Sequence, residues 1–294
     1  MTNAVVMHGL TKDYGSGHGL FNLDLEVAEG EVFGFLGPNG AGKTTTIRLL
    51  MGVIHASAGT ATVFGLDCDR EAVAVKREVG YLPGELPQFG GMRGSEVVAY
   101  LGGMRGGIES SRVKELSERL ELDLGRRFRE YSRGNKQKLG LVLAFMHRPR
   151  LLILDEPTSG LDPLNQQTFQ RLVGEARAAG GTVFLSSHVL SEVEETCSRV
   201  GIIREGRLVS DMTMDKVHEL RFHEVVIEFS GDVPEAAVRA AAGVEAVAVE
   251  GSRLTCTVHG GFDPLLAAIS GHTVTDMVSR EPSLESIFLS YYSR

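Results

Sequence analysis

Apolar residues fall along this chain in two alternating patterns, short unbroken runs and faces spaced at helical period. Residues 31–36 read as a buried strand, followed by a glycine turn and a helical stretch over 43–51. Runs at 61–64, 79–82, 151–155, 182–186 and 200–204 have the character of strands in a sheet covered on both faces. Between residues 94 and 147 the period becomes helical, with charged positions separating Val97, Leu101, Val113, Leu116 and Leu120. Residues 1–215 therefore predict an α/β domain with a helical subdomain at about 90–147.

A second pattern follows. Strand-like 225–229, helical 234–242, strand-like 244–249 and 254–258, helical 264–269 and strand-like 274–278 give the order βαββαβ. That order predicts a small C-terminal α+β domain of the ferredoxin-like, split βαβ type over 221–294, ending in an amphipathic turn with Leu284, Ile287, Phe288 and Tyr291. Self-similarity at the period of solenoids or propellers is absent.

Composition narrows the class. A chain of 294 residues, 43% hydrophobic and 23% charged, can bury a full core in about two domains and is not disordered. The longest apolar run, 139–146, is far shorter than the roughly 20 residues a membrane helix needs. The opening Met1, Thr2 and Asn3 do not begin a secretory signal, so a cytoplasmic location is expected. Cys68, Cys197 and Cys256 lack metal or redox spacing and are expected as packed thiols. The net charge of −8, with 6 Lys+Arg against 11 Asp+Glu in residues 216–294, argues against a nucleic-acid partner. A local exception is 125–138, with six basic residues and one acidic.

The chemistry concentrates in two places. Gly37, Pro38, Asn39, Gly40, Ala41, Gly42, Lys43 and Thr44 match G-x-x-x-x-G-K-[ST] between a predicted strand and a predicted helix, the context in which such a loop binds phosphate. Glycines let backbone N–H groups turn inward, and the helix N-terminus carrying Thr44 and Thr45 adds its field. Lys43 is expected to bridge the β- and γ-phosphates and the Thr44 hydroxyl to ligate Mg2+. The apolar run 151–155 ends in Asp155, the expected second metal ligand, and Glu156 next to it is the expected general base toward water.

With those motifs in place, residues 1 to about 215 resemble the nucleotide-binding subunits of ABC transporters. Tyr14 occupies the place of the aromatic residue that stacks on adenine. Tyr131, Ser132, Arg133, Gly134 and Asn135 are similar to the family signature, usually Leu-Ser-Gly-Gly-Gln, with Ser132 and Gly134 kept. Ser159 to Asp162 resembles the D-loop, and His188 stands where the family has a switch histidine on the γ-phosphate. The resemblance implies an ATP site built from Tyr14, the loop 37–45, Ser132, Gly134 and Asp162, with Lys43, Glu156 and His188 catalytic.

Two departures stand out. Gly84 replaces the family's Gln after Gly80, Tyr81, Leu82 and Pro83, so either Glu85 supplies an oxygen to the metal or water completes its shell. Arg133 replaces a signature glycine and is expected, with Lys136, to face an anion held by a second subunit. The resemblance further implies an ATPase that forms a homodimer around two ATP molecules on the inner face of the cell membrane. It would drive an integral membrane permease touched through residues 84–101. Residues 281–288 resemble the tail of exporters that include antibiotic and multidrug efflux ATPases. The rival readings are a soluble ABC-type ATPase on ribosomes or nucleic acid and a generic P-loop kinase or GTPase. The first usually carries two cassettes or a long coiled coil, and the second leaves the signature, 159–162 and His188 unexplained.

Overall fold

Three of the apolar runs pair side by side at the centre of the first unit, and the rest of that unit is arranged around them. The structure, a computed structural model, describes residues 2–219 and 222–280, and the chain divides into two units, Met1–Thr213 and Met214–Arg294. The amphipathic turn expected beyond residue 280 lies outside the described residues.

The first unit opens with β1 (Asn3–Asp13), β2 (Gly19–Ala28) and β3 (Val32–Leu36), followed by helix α1 (Lys43–Leu50). Then come β4 (Ala58–Val63), β5 (Leu66–Asp67), α2 (Ala72–Glu78) and β6 (Val79–Leu82). The helical stretch supplies α3 (Gly94–Gly103), α4 (Ser110–Arg119) and α5 (Arg133–Phe145). The α/β alternation resumes with β7 (Leu151–Asp155), α6 (Pro163–Ala178), β8 (Thr182–Ser187), α7 (Leu190–Thr196), β9 (Arg199–Arg204) and β10 (Arg207–Thr213).

One sheet runs β10-β9-β3-β8-β7-β6, and every neighbouring pair from β9 to β6 is parallel. All residues of β3, β7 and β8 are buried, as a strand covered on both faces requires. Phe184 stacks on Phe33 with centroids 5.7 Å apart and tilts against Phe35 at 5.4 Å, so the three rings occupy the middle of the core. The other sheet, β2-β1-β4-β5, is antiparallel. The pattern of apolar runs did not anticipate its first two strands. Register shifts at Asn3/Val5, Met7/Leu10 and Leu10/Lys12 break the two-residue alternation that marks a half-buried strand.

In the second unit, α8 (Met214–Glu219) precedes β11 (Phe222–Phe229), α9 (Glu235–Arg239), β12 (Val244–Glu250), β13 (Arg253–His259), α10 (Asp263–Ile269) and β14 (Val274–Arg280). The antiparallel sheet order β12-β13-β11-β14 is that of a split βαβ unit. Val225, Ile227, Leu254, Val258, Val238 and Leu265 form a core of its own. The three cysteines are unpaired and buried, and burial pushes the Cys68 thiol up to about 12.

Where α5 ends against the start of β6, the His147 imidazole faces the Val79 carbonyl with Nε2 at 3.3 Å, and Arg105 donates to the same carbonyl at 3.0 Å. Burial, reinforced by the Arg105 charge, lowers the His147 pKa to about 4 from 6.5. The unfolded chain therefore takes up this proton first as pH falls. The contribution of neutral His147 to stability is complete above pH 6.5 and is lost progressively down to about 4. His147→Phe, which cannot be protonated, is expected to flatten that part of the pH dependence, measured as the change in urea midpoint between pH 7 and pH 5 relative to the parent chain.

Candidate functional site

Parallel strands deliver their carboxyl ends to one edge of a sheet, and loops after β3, β7 and β8 meet there because those strands are neighbours. Leu36 pairs with Ser187, and Asp155 with Ser186. The phosphate-loop motif leaves β3 at this edge, and its first residue is tied across by Gly37 N donating to the Ser187 carbonyl at 3.2 Å.

Two glycines of the loop are required by its path. Gly42 (φ 113°) is the left-handed residue from which α1 starts, and a Cβ on Gly37 would strike the Ile203 carbonyl. No side chain caps α1, and its first turn holds no acidic residue, so its leading N–H groups keep their capacity for an anion. An open cleft of about 270 Å³ lies over this loop, lined by Pro38, Asn39, Gly40, Gly42, Lys43, Thr44 and Thr45, with Tyr14, His18, Gly19 and Glu156 around them.

Lys43 is 5% exposed, with its ammonium donating to the carbonyls of Gly37 (2.5 Å) and Pro38 (3.2 Å). The same ammonium stands 3.2 Å from Oε1 of Glu156, whose Oε2 is 2.7 Å from Nδ1 of His188. Three residues far apart in the sequence thus form one row, cation, carboxylate, imidazole. The turn carrying His188 is braced by Ser187 Oγ, which accepts from Val189 N at 3.0 Å and donates to Glu192 at 2.7 Å.

Asp155, 1% exposed, is held from both sides: Thr44 Oγ1 donates to Oδ2 at 2.8 Å and Ser186 Oγ to Oδ1 at 2.5 Å. Beside it on β6, burial first and the Asp155 charge second raise the Tyr81 phenol to about 12. Gly84 packs so closely that a Cβ there would lie 3.0 Å from Asp155 Oδ2. Glu85 is exposed.

Tyr14 reaches the cleft from the β1–β2 turn and is 55% exposed, with Lys12 Nζ 5.6 Å from its ring centroid. Gly206 links this hairpin to the phosphate loop, accepting from Phe21 N at 2.7 Å and donating to the Ala41 carbonyl at 2.9 Å.

Ser132, Gly134 and Asp162 are not part of that cleft's lining. Ser132 Oγ caps α5 by accepting from Asn135 N at 3.2 Å. Asp162 caps α6, accepting from Asn165 N at 3.0 Å and Asn165 Nδ2 at 2.8 Å, bonds that hold its carboxyl below the usual range. Several cations of the basic stretch have neutral partners within the chain. Arg133 donates to Ser159 Oγ at 2.8 Å, Lys136 lies 5.0 Å from the Phe128 ring centroid, Arg126 and Arg127 reach backbone carbonyls, and Lys138 is buried.

The residues sequence reasoning missed are Ser186, Gln137 and His18. Ser186 left a trace, a hydroxyl at the end of an otherwise apolar strand; Gln137 and His18 carried none that distinguishes them from surface polar residues.

The ABC transporter family profile matches residues 20–159. The linearmycin resistance ATP-binding protein of Bacillus subtilis (strain 168) is 31% identical over 97% of this chain and 97% of its own length. The bacitracin transport ATP-binding protein of Bacillus licheniformis is 37% identical over 73% of this chain and 71% of its own. Among solved structures, an ATP-binding subunit of an ABC transporter superposes with a TM-score of 0.67 at 27% identity, covering 73% of this chain and 92% of that one. A dimeric ATP-binding cassette bound to ADP and Pi shares the fold, with a TM-score of 0.62 at 19% identity over 71% of this chain and 98% of the other. An uncapped phosphate loop, an acidic strand end and a histidine on adjacent parallel strands, with relatives alike along almost the whole length, lead to one conclusion: the chain belongs to the ABC transporter family as an ATP-binding, ATP-hydrolysing subunit.

Proposed function

We propose that two copies of this chain close around ATP and that hydrolysis reopens them, driving export through a separate membrane-spanning permease. The observation that carries the reading is the Glu156 carboxylate held between Lys43 and His188 at the mouth of the phosphate cleft. A carboxylate in that place is within reach of a water approaching the terminal phosphate, and is the group we assign as general base. Lys43 is paired with Glu156. Incoming phosphate oxygens compete for the same ammonium, so binding frees the base as it engages the cation. His188, next to the other carboxylate oxygen, orients the base and meets the γ-phosphate.

The donors Thr44 and Asp155 are both oxygens, already 2.8 Å apart across a buried boundary, and fit a hard cation such as Mg2+. When bound, the ion would neutralise charge on the phosphates. Tyr14 supplies a ring for the adenine. Ser132, Gly134 and Asp162 would meet nucleotide only from a second copy, which supports a homodimer, since none of them lines the cleft of its own chain.

No helix among the described residues is long and apolar enough to cross a membrane. Relatives are named for bacitracin transport, linearmycin resistance, daunorubicin resistance and Nod factor export, which supports an efflux role at the inner face of the cell membrane with the cargo chosen by the permease. We assign residues 1–215 to the nucleotide cassette and 221–294 to an accessory domain that steadies or regulates closure.

Glu156→Gln is expected to bind ATP normally and to slow turnover about a hundred- to ten-thousand-fold, because the amide keeps the shape and loses the base. ATP should then hold this variant as a dimer in light scattering; wild-type turnover would remove the assignment. A chain truncated near Asp215 is expected to retain nucleotide binding in a fluorescent-analogue titration. Gly84→Gln, which restores an amide oxygen at the family's position, is expected to lower the Mg2+ concentration needed for half-maximal ATPase rate, the 3.0 Å approach of its Cβ to Asp155 Oδ2 being relieved by a shift of a few tenths of an ångström. Glu85→Ala leaves that requirement unchanged if water, and not Glu85, completes the metal shell.

A further inference from the structure

Glu156 sits in a left-handed backbone conformation, φ 49°, which an L-residue with a side chain adopts only when its surroundings enforce it. One enforcing contact comes from β8: Glu156 N donates to both the Ser186 carbonyl (3.2 Å) and Ser186 Oγ (3.1 Å). The other comes from α5. Gln137, 9% exposed, donates through Nε2 to the carbonyls of Glu156 and Pro157, each at 3.0 Å.

Gln137 does not act alone on that helix. Residues 133 and 137 are one turn apart and share a face, and Arg133 Nη2 donates to Ser159 Oγ at 2.8 Å. The Arg133 stem packs over Gly160, which has φ 76°. Gly134 backs onto the Gly160 carbonyl so tightly that a Cβ would lie 2.7 Å from it. The first two turns of α5 and the loop 156–160 are therefore joined by three side-chain hydrogen bonds and a backbone contact that no larger residue permits.

We infer that Gln137 is a positioning residue for Glu156, fixing the backbone from which the carboxylate projects, and that Arg133 is a second fastening of the same joint. The inference rests on the reading of Glu156 as general base. It gives the unusual signature arginine a role inside its own chain: any displacement of α5 is passed to the base through two carbonyls. A glutamine is needed because its amide offers two N–H donors to two acceptors; a glutamate offers none and would oppose both carbonyls. Loss of the amide leaves those carbonyls unpaired in a partly buried place, and the loop that carries the base can then turn.

The test uses the full-length chain with Gln137→Met, which keeps length and removes both donors, and Arg133→Ala, which is exposed and leaves the helix intact. Each is compared with the parent chain and with Glu156→Gln, alone and combined. Expected for Gln137→Met is a fall in kcat of about tenfold to a hundredfold with ATP affinity within about twofold, the pattern of a displaced catalytic group. Arg133→Ala should lose about twofold to fivefold in the same pattern. In the Glu156→Gln background both substitutions should cost nothing further, because the group they position is gone. Unchanged kcat in both variants while Glu156→Gln is inactive would overturn the inference and leave the general base standing. An equal proportional loss in the Glu156→Gln background would also overturn it, by showing general damage. Wild-type turnover of Glu156→Gln would sink the base assignment and this inference together.

Discussion

Parallel pairing of β3, β8 and β7 is the constraint from which the rest follows. Backbone hydrogen bonds between fully buried strands set which carboxyl ends are neighbours, and the site consists of what the chain places just after those ends. Shifting any of the three strands by one residue would turn its side chains to the opposite face and separate Asp155 from Thr44 and Ser186. The cluster of Phe33, Phe35 and Phe184 locks that register from the side, since each ring fills space the others leave. Chemistry at the edge is thereby supported by apolar packing at the centre.

Charge at the edge is balanced within the chain. A buried ammonium and a nearly buried carboxylate would each be costly alone, and here Lys43 and Asp155 are compensated, one by two carbonyls and Glu156, the other by two hydroxyls. Each buried charge thus has an oppositely polarised partner supplied by the chain itself. Two hydroxyls orient Asp155 with no fixed cation beside it. The same economy explains why α1 lacks an acidic first turn: a carboxylate there would occupy the donors that an anion must reach.

The two departures from the family pattern acquire physical content once neighbours are known. Gly84 is a close approach to Asp155, an exposed place where a Cβ would lie 3.0 Å from a buried carboxylate oxygen and ask it to give by a few tenths of an ångström. Arg133 faces Ser159 and Gly160 and so joins the helical stretch to the loop after β7. The second unit has a core of its own, and in its open sheet β11 pairs with both β13 and β14.

Much of the fold was legible because its core strands are continuous apolar runs: 79–82 and 151–155 coincide with β6 and β7, and the βαββαβ order of the second unit is written in its turns. The motif 37–44 was legible because glycines and a lysine at fixed spacing serve one backbone path. Hidden were β1, whose bulges scramble alternation, and β2, which pairs with it. Also hidden were the functional links made between distant residues. That Glu156 lies between Lys43 and His188, that Gln137 holds its backbone, and that Gly84 touches Asp155 are consequences of strand order and helix seating, which no local pattern encodes. Residue type and spacing determine which groups can bind phosphate, metal or water; only long-range packing decides which of them meet, because the distance between two side chains depends on every element between them.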